Sequence, residues 1–340
     1  MMKAVAFLVV LALVGAAGVG FTLYKRTGEP YKGYPDAEQF VEVEPGSSTR
    51  AIGERLVAAG VVSNDVTFRA ALWRTGLART LKAGEYRFDR PMTPIEVVEK
   101  IGRGDVYERR ITFPEGLAYA EMARIYEQQG FGTAASFVEA ARDATPIRNV
   151  DPEARDLEGY LFPETYSVRR DSSAVKLVHI MVARFEQLFT TEMQQSAEKH
   201  GLTVRQAVTL ASIVEKETAL EAERPMVAAV YMNRLKIGMG LQCDPTVIYA
   251  LQKAGRYDGN LTRSDLAFDS PYNTYRYAGL PPGPIANPGL ASLKAAVAPA
   301  EVDYLYFVSR NDRSHVFART LTEHNENVRK FQVEYFRGRR

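Results

Sequence analysis

The sequence is almost without cysteine. Its 340 residues include one, Cys243, so an intrachain disulfide framework and a cysteine-cluster metal site are both excluded. Histidine is also scarce, and none of the four histidines stands at the HxxxH spacing of a helical zinc site (His179, His200, His315 and His324). We therefore expect no metal and no cofactor.

Net charge is nearly absent as well. The chain carries 43 basic and 41 acidic residues, a formal net charge of +2, which gives no electrostatic reason to expect a nucleic-acid partner. Hydrophobic residues make up 46% and charged residues 25% of the chain, which is the balance of a folded globular protein. A length of 340 residues allows about two domains of ordinary size.

Charge is missing altogether from residues 4–24. A helix rising about 1.5 Å per residue would carry this run across a hydrocarbon core about 30 Å thick. The alternatives are a cleaved secretory signal and a buried core helix. The run is longer than a usual signal-peptide core, ends in the aromatic Phe21 and Tyr24, and has no polar face. We predict a transmembrane anchor over residues 1–26, followed by a linker over residues 27–38.

A short module of strand, turn, helix and glycine occurs twice after the linker. Its first copy begins with a strand at residues 40–44 and its second with a strand at residues 110–113. The pattern over residues 39–150 is similar to LysM-type carbohydrate-binding domains, and the alternative is a structural spacer. With a larger mixed domain over residues 151–340, the sequence predicts an α+β fold.

One predicted helix, residues 203–218, ends in two glutamates two positions apart. At about 100° per residue, Glu215 falls within the broad apolar face of this helix, and Glu217 lies at the edge of that face. Periodicity alone therefore slightly favours Glu215 as the buried carboxylate. In a second interpretation, both glutamates are solvated at a helix end and pair with nearby basic groups.

Four stretches of the second half follow one another in order: LEGYLFPETY (157–166), ASIVEKETA (211–219), RLKIGMGLQCDPTVIYAL (234–251) and SPYNTYRYAGLPPGPIANPG (270–289). Together with the uncharged N-terminal run, they closely resemble the membrane-anchored endolytic murein transglycosylases, the MltG or YceG-like family. The resemblance extends from the anchor to the C-terminus. It implies that the catalytic acid is the glutamate before the threonine of EKET, which is Glu217. Glu215 and Glu164 are then candidates for supporting that acid.

The resemblance also covers the segment LQCDPT. Gln242 and Asp244 match the family pattern and are candidates for substrate binding, whereas Cys243 stands where a less reactive residue is expected. Read from the sequence alone, Asp244 precedes a proline and could instead cap a helix over residues 245–253. For Asp244 we favour this structural role.

The long irregular segment around Asn273 supplies further candidates for sugar contacts. The side-chain amides of Asn273 and Gln242 can orient acetamido and hydroxyl groups, and the tyrosines can offer ring faces and hydroxyls (Tyr272, Tyr275 and Tyr277). Of the tyrosines, we take Tyr275 as the substrate-binding candidate. The alternative is a Pro/Gly-rich segment that packs its tyrosines onto the domain.

The family resemblance implies a mechanism with a single carboxyl. Glu217 would protonate the leaving oxygen of the β-1,4 bond between N-acetylmuramic acid and N-acetylglucosamine, and would then take the proton of the muramyl C6 hydroxyl, leaving a 1,6-anhydro end. The implied substrate is nascent peptidoglycan, whose elongation this cleavage terminates. The implied location is the inner (cytoplasmic) membrane, with a single span, a short cytoplasmic start and the body in the periplasm. Peptidoglycan synthases are candidate partners.

Two other functions are compatible with the same residues. A hydrolytic muramidase would pair Glu217 with a second carboxylate such as Asp244 or Glu164 across a cleft. A murein-binding membrane protein would use none of these groups for catalysis.

Overall fold

The computed structural model describes residues 2–170 and 172–337. In this part of the chain, helices alternate with three two-stranded sheets, so the α+β fold class predicted from the sequence is confirmed. The chain divides into two compact units, Met1–Arg109 and Arg110–Arg340.

The N-terminal helix α1 spans Met2–Arg26. Many of its apolar side chains are exposed, among them Phe7, Leu13 and Phe21. Over the residues that the structure describes, however, no helix combines the length and the apolar character needed to cross a membrane. The transmembrane anchor that the sequence predicts over residues 1–26 is therefore not confirmed.

Two strands and three further helices make up the rest of the first unit: β1 (Gln39–Val43), α2 (Thr49–Ala58), α3 (Asp65–Thr75), β2 (Gly84–Phe88) and α4 (Pro94–Arg103). β1 pairs antiparallel with β2. Each helix begins at a polar cap, because the side chains of Ser48, Asn64 and Thr93 accept bonds from first-turn N–H groups. Apolar side chains from all five elements form one core.

The second unit opens with β3 (Arg109–Thr112), α5 (Tyr119–Gln128) and α6 (Ala134–Arg142), which lie within the predicted first domain, and continues with β4 (Thr165–Val168) and α7 (Ala174–Leu188). β3 pairs with β4, and Phe113 contacts both Phe137 and Tyr166. Residues 110–150 thus share a core with the segments that follow. The structure divides the chain after Arg109, whereas the sequence predicts a boundary after residue 150. A repeated local pattern does not reveal which core its apolar side chains join, so the pattern alone could not locate the boundary.

The remaining elements follow in this order: α8 (Thr191–Lys199), α9 (Val204–Glu217), α10 (Arg224–Lys236), α11 (Asp244–Lys253), α12 (Leu290–Val297), β5 (Tyr306–Ser309), β6 (His315–Ala318), α13 (Leu321–Val328) and, after a π-helical turn at Arg329–Glu334, α14 (Tyr335–Arg337). α9 contacts α8, α10, α11 and α12, and residues 207–214 are buried without interruption. Because packing on all sides fixes such a helix, its last residue is held in a defined position.

Candidate active site

Glu217 is the last residue of α9. The helix begins with a capping box, in which the side chains of Thr203 and Gln206 each accept a bond from the other residue's backbone N–H. It ends at Thr218, whose backbone is extended. The buried body of the helix therefore presents the Glu217 carboxyl at a rigid end.

Two donors bind the same oxygen of Glu217. Tyr231, on α10, donates its hydroxyl to Oε1 at 2.9 Å, and the thiol of Cys243 donates to Oε1 at 3.0 Å. Burial raises the pKa of Tyr231 and that of Cys243 well above their ordinary values, so both groups keep their hydrogens at neutral pH. Among the residues described, none donates to Oε2. The proton of the neutral acid therefore belongs on Oε2.

The environment of Glu217 favours its protonated form. Burial raises the pKa of this carboxyl above its ordinary value, and the charge of Asp244 acts in the same direction. The hydrogen bonds from Cys243 and Tyr231 oppose the increase, as does nearby His315. A carboxyl with a raised pKa can hold a proton near neutral pH, as a general acid must.

Glu217 lines a cavity of about 270 Å³. The cavity combines hydroxyl, amide and charged groups with aromatic rings, and its other lining residues are Tyr231, Arg234, Leu241, Gln242, Asp244, Tyr275, Phe307 and His324. Such groups suit the hydroxyls and ring faces of sugars. Within residues 2–170 and 172–337, no three His, Cys, Asp or Glu side chains are grouped so that they could hold a metal ion.

Three of the predicted substrate contacts lie in this cavity: Gln242, Asp244 and Tyr275. Gln242 has a φ of 51°, a left-handed conformation that residues other than glycine adopt uncommonly. Tyr275 donates its hydroxyl to Asp244 Oδ1 at 2.6 Å. α11 starts at Asp244 itself, and its N-cap is Cys243. The predicted capping role of Asp244 is therefore wrong, because its carboxylate accepts from Tyr275 at the cavity.

Asn273, also predicted to contact sugar, has its side chain in the loop that surrounds it. Its amide nitrogen donates to the carbonyl oxygens of Leu266 and Phe268 at 3.0 and 2.7 Å, and its amide oxygen accepts from the backbone N–H of Tyr275 at 2.9 Å. Asn273 is 0% exposed. Its side chain fixes the loop that carries Tyr275 and has no surface for a sugar.

Glu215 is engaged away from the cavity. Its Oε1 lies 2.9 Å from Nη2 of Arg224, and the two side chains are 6% and 9% exposed. Its Oε2 accepts from the backbone N–H of Gly289 at 3.0 Å. The side chain of Glu215 is shielded from solvent, as its position on the helical wheel predicts, and an ion pair occupies its carboxylate.

The other candidates also lie outside this cavity. Glu164 forms an ion pair of 2.7 Å with Arg184. Tyr272 packs on Tyr249 with 5.0 Å between ring centroids. Tyr277 donates its hydroxyl to Asp269 Oδ1 at 2.7 Å. None of the three predicted residues lines the cavity of Glu217.

Several cavity residues were not found from the sequence. Tyr231 and Arg234 lie three positions apart on α10, a spacing that puts them on one face, but nothing in the sequence connects that face to Glu217. Arg234 donates to the carbonyl oxygen of Leu305 at 2.7 Å, which ties α10 to the segment entering β5. Phe307 and His324 join the cavity only through tertiary structure.

Comparison with known proteins places these features in a family. A sequence model of the YceG-like family matches residues 41–330. A protein of Bacillus subtilis (strain 168) named endolytic murein transglycosylase is 32% identical, over 92% of this chain and 90% of its own length. A protein of the same name from Streptococcus pneumoniae serotype 2 (strain D39) is 30% identical over 95% of this chain, which covers 64% of that protein.

A solved structure supports the same assignment. The crystal structure of a YceG-like protein from Listeria monocytogenes matches with a TM-score of 0.58 and 34% sequence identity, covering 85% of this chain and 98% of that one. The match of the family model extends over most of the chain, and the relatives are similar along nearly its whole length. The chain therefore belongs to the YceG-like family.

Proposed function

We propose that the protein is an endolytic peptidoglycan lytic transglycosylase. It cleaves the β-1,4 bond between N-acetylmuramic acid and N-acetylglucosamine in nascent glycan strands, which terminates their elongation. The observation that carries this proposal is the Glu217 carboxyl, which lies at a polar cavity with a raised pKa and with both donors on Oε1. The names of the relatives support the substrate and the reaction class.

The proposed reaction uses one carboxyl twice. Oε2 of Glu217 gives its proton to the glycosidic oxygen as the bond between that oxygen and the muramyl anomeric carbon breaks. The C6 hydroxyl oxygen of the same muramyl residue then bonds to the anomeric carbon, and its proton passes to the Glu217 carboxylate. The enzyme ends in its starting protonation state, and no water is consumed.

Asp244 supports one alternative, a hydrolytic muramidase. Its carboxylate lines the same cavity as Glu217, and a second carboxylate could activate water. Digestion of peptidoglycan in ¹⁸O-enriched water separates the reactions. We expect anhydro ends without label, as read by mass spectrometry of the released muropeptides. Labelled reducing ends would establish hydrolysis, and an unchanged substrate would leave only a binding role.

The pH dependence of cleavage should depend on Cys243. Because the acid must be protonated to act, the rate should fall as pH rises through the raised pKa of Glu217. Cys243→Ala removes a donor that stabilises the ionised carboxylate, so its basic decline should lie at higher pH than that of the parent. Cys243→Ser retains a donor and serves as the matched control. A Cys243→Ala profile identical to that of the parent would contradict this role for the thiol.

We further propose that the second unit acts in the periplasm, outside the cytoplasmic membrane, where peptidoglycan is exposed. Residues 4–24 are proposed to attach the protein to that membrane. The full chain should then sediment with membranes and keep its N-terminal segment, whereas a chain beginning near Tyr31 should stay in the supernatant. Protease added from the periplasmic side should digest the body. A mature N-terminus after Gly18 or Gly20 would instead identify a cleaved signal.

The first unit is proposed to bind glycan in the manner of LysM-type domains. Its order β1–α2–α3–β2 supports this assignment, and a spacer without affinity for sugar is the alternative. Co-sedimentation of chains with and without residues 39–103 on insoluble peptidoglycan distinguishes the two. Peptidoglycan synthases are proposed as partners. Capture of a synthase from a membrane extract on the purified protein would test this proposal.

A further inference from the structure

The second unit contains another cavity that the proposed reaction does not use. It has a volume of about 230 Å³ and is lined by Glu158 from LEGYLFPETY and by Tyr272 and Pro282 from the proline-rich segment. Both motifs were singled out in the sequence, and these three residues have no part in the proposed chemistry at Glu217. The cavity therefore gives these two motifs a common location.

Basic side chains predominate in this cavity. Arg155, Arg205 and Lys253 line it, against the acidic Asp156 and Glu158. Burial raises the pKa of Glu158 to about 8, which works against the negative charge of that carboxyl. The lining is therefore suited to an anion.

Of the three basic residues, Arg155 and Lys253 carry charge that is available to a ligand, and Arg205 does not. Its Nε lies 2.9 Å from Oδ2 of Asp151, which neutralises its charge. Its Nη2 is buried and has no hydrogen-bond partner among the residues described. This guanidinium is therefore shielded inside the protein and is not a contact for a ligand in the cavity. Arg155 and Lys253 are exposed at the same cavity and can supply the attracting charge.

The helix α11 relates this cavity to the active site. Its first residue, Asp244, lines the Glu217 cavity, and its last, Lys253, lines the second one. Nine steps of about 1.5 Å separate them by about 14 Å along the axis. An extended peptide covers at most about 3.3–3.6 Å per residue, so about four residues bridge this distance. Short peptides of this length class are attached to muramic acid in peptidoglycan.

We propose that the second cavity is a subsite for a carboxylate of the peptide stem on muramic acid, occupied while Glu217 acts on the glycan. This inference rests on the proposed function and names the part of the substrate that the enzyme recognises besides sugar. Arg155 and Lys253 attract the carboxylate, and Tyr272 and Pro282 contact the peptide chain.

The test compares two substrates and two variants. The substrates are glycan strands with intact stems and the same strands after an amidase has removed the stems. The double variant Arg155→Gln/Lys253→Gln removes two exposed charges, and Lys176→Gln, an exposed lysine on α7 that does not line the cavity, is the control. The ratio of kcat/KM for stem-bearing to stem-free strands should fall about tenfold in the double variant, as for the loss of a weak charged hydrogen bond. The control should keep the parental ratio.

A second measurement separates this inference from the proposed reaction. Free stem peptide released by the amidase is titrated into the parent and the double variant by calorimetry, and we expect about tenfold weaker binding in the variant. Amidation of the peptide carboxylates should weaken binding to the parent equally. Binding without any strand cleavage would retain the subsite and overturn the proposed enzyme. Cleavage to anhydro ends with equal ratios and no peptide binding would overturn the subsite alone.

Discussion

Glu217→Gln should lower glycan cleavage by about 10²- to 10⁴-fold, the usual contribution of general acid–base catalysis. The loss could be larger, because the same carboxyl acts in both proton transfers. Glutamine keeps an oxygen that can accept from Tyr231 and Cys243 at the position of Oε1, but its amide cannot deliver a proton. The measurement is the rate of anhydromuropeptide release by purified protein.

Two controls make this result specific. Glu215→Gln should leave considerably more activity, because that carboxylate pairs with Arg224 away from the cavity. Glu164→Gln, on the surface, should match the parent. Thermal melting and binding to isolated glycan strands must show that the Glu217 variant is folded and retains its substrate. Near-parental anhydromuropeptide release by Glu217→Gln would overturn the assignment, which would pass to Glu215 if that variant alone were folded, substrate-binding and inactive.

The sequence contains enough to identify the helix that carries Glu217 but not to choose between its glutamates by periodicity. The helical wheel ranks residues by the burial that it predicts, and by this criterion Glu215 comes before Glu217. The structure shows that both carboxylates are shielded and that they differ in their partners: a guanidinium for Glu215, and neutral donors for Glu217. The order of motifs along the chain favours Glu217, because it draws on several segments of the site and not on one face of one helix.

Contacts between distant segments account for the features that the sequence did not predict. Cys243 stood out as a departure, yet its bond to Glu217 depends on how the start of α11 meets the end of α9. Asn273 has the side chain of a sugar-binding residue, but three local hydrogen bonds bury it. Residue types and spacings identify capable groups, and tertiary packing decides which of them face a cavity.

Glu215→Leu should destabilise the second unit by about 3–5 kcal/mol, the usual effect of breaking a buried ion pair. Arg224 is 9% exposed and, among the residues that the structure describes, would keep Glu115 at 3.6 Å as its one ion-pair partner. Its Nε is buried without a hydrogen-bond partner among the residues described. No neighbouring acceptor is therefore in place to compensate for the lost carboxylate. Glu215→Leu leaves this guanidinium desolvated and also deprives the N–H of Gly289 of its acceptor.

The double variant Glu215→Leu/Arg224→Met distinguishes a stranded charge from a packing defect. If the cost arises from the unpaired guanidinium, replacing it should restore much of the stability, since apolar substitutes for buried pairs are often neutral. Glu164→Leu, which breaks an exposed pair with Arg184, should cost no more than about 1 kcal/mol. Urea unfolding followed by circular dichroism measures these differences. Fluorescence of Trp73, the single tryptophan of the sequence, reports on the first unit. The unfolding transition that it follows should be the same in these variants as in the parent. A double variant less stable than Glu215→Leu would show that packing, and not charge pairing, sets the cost.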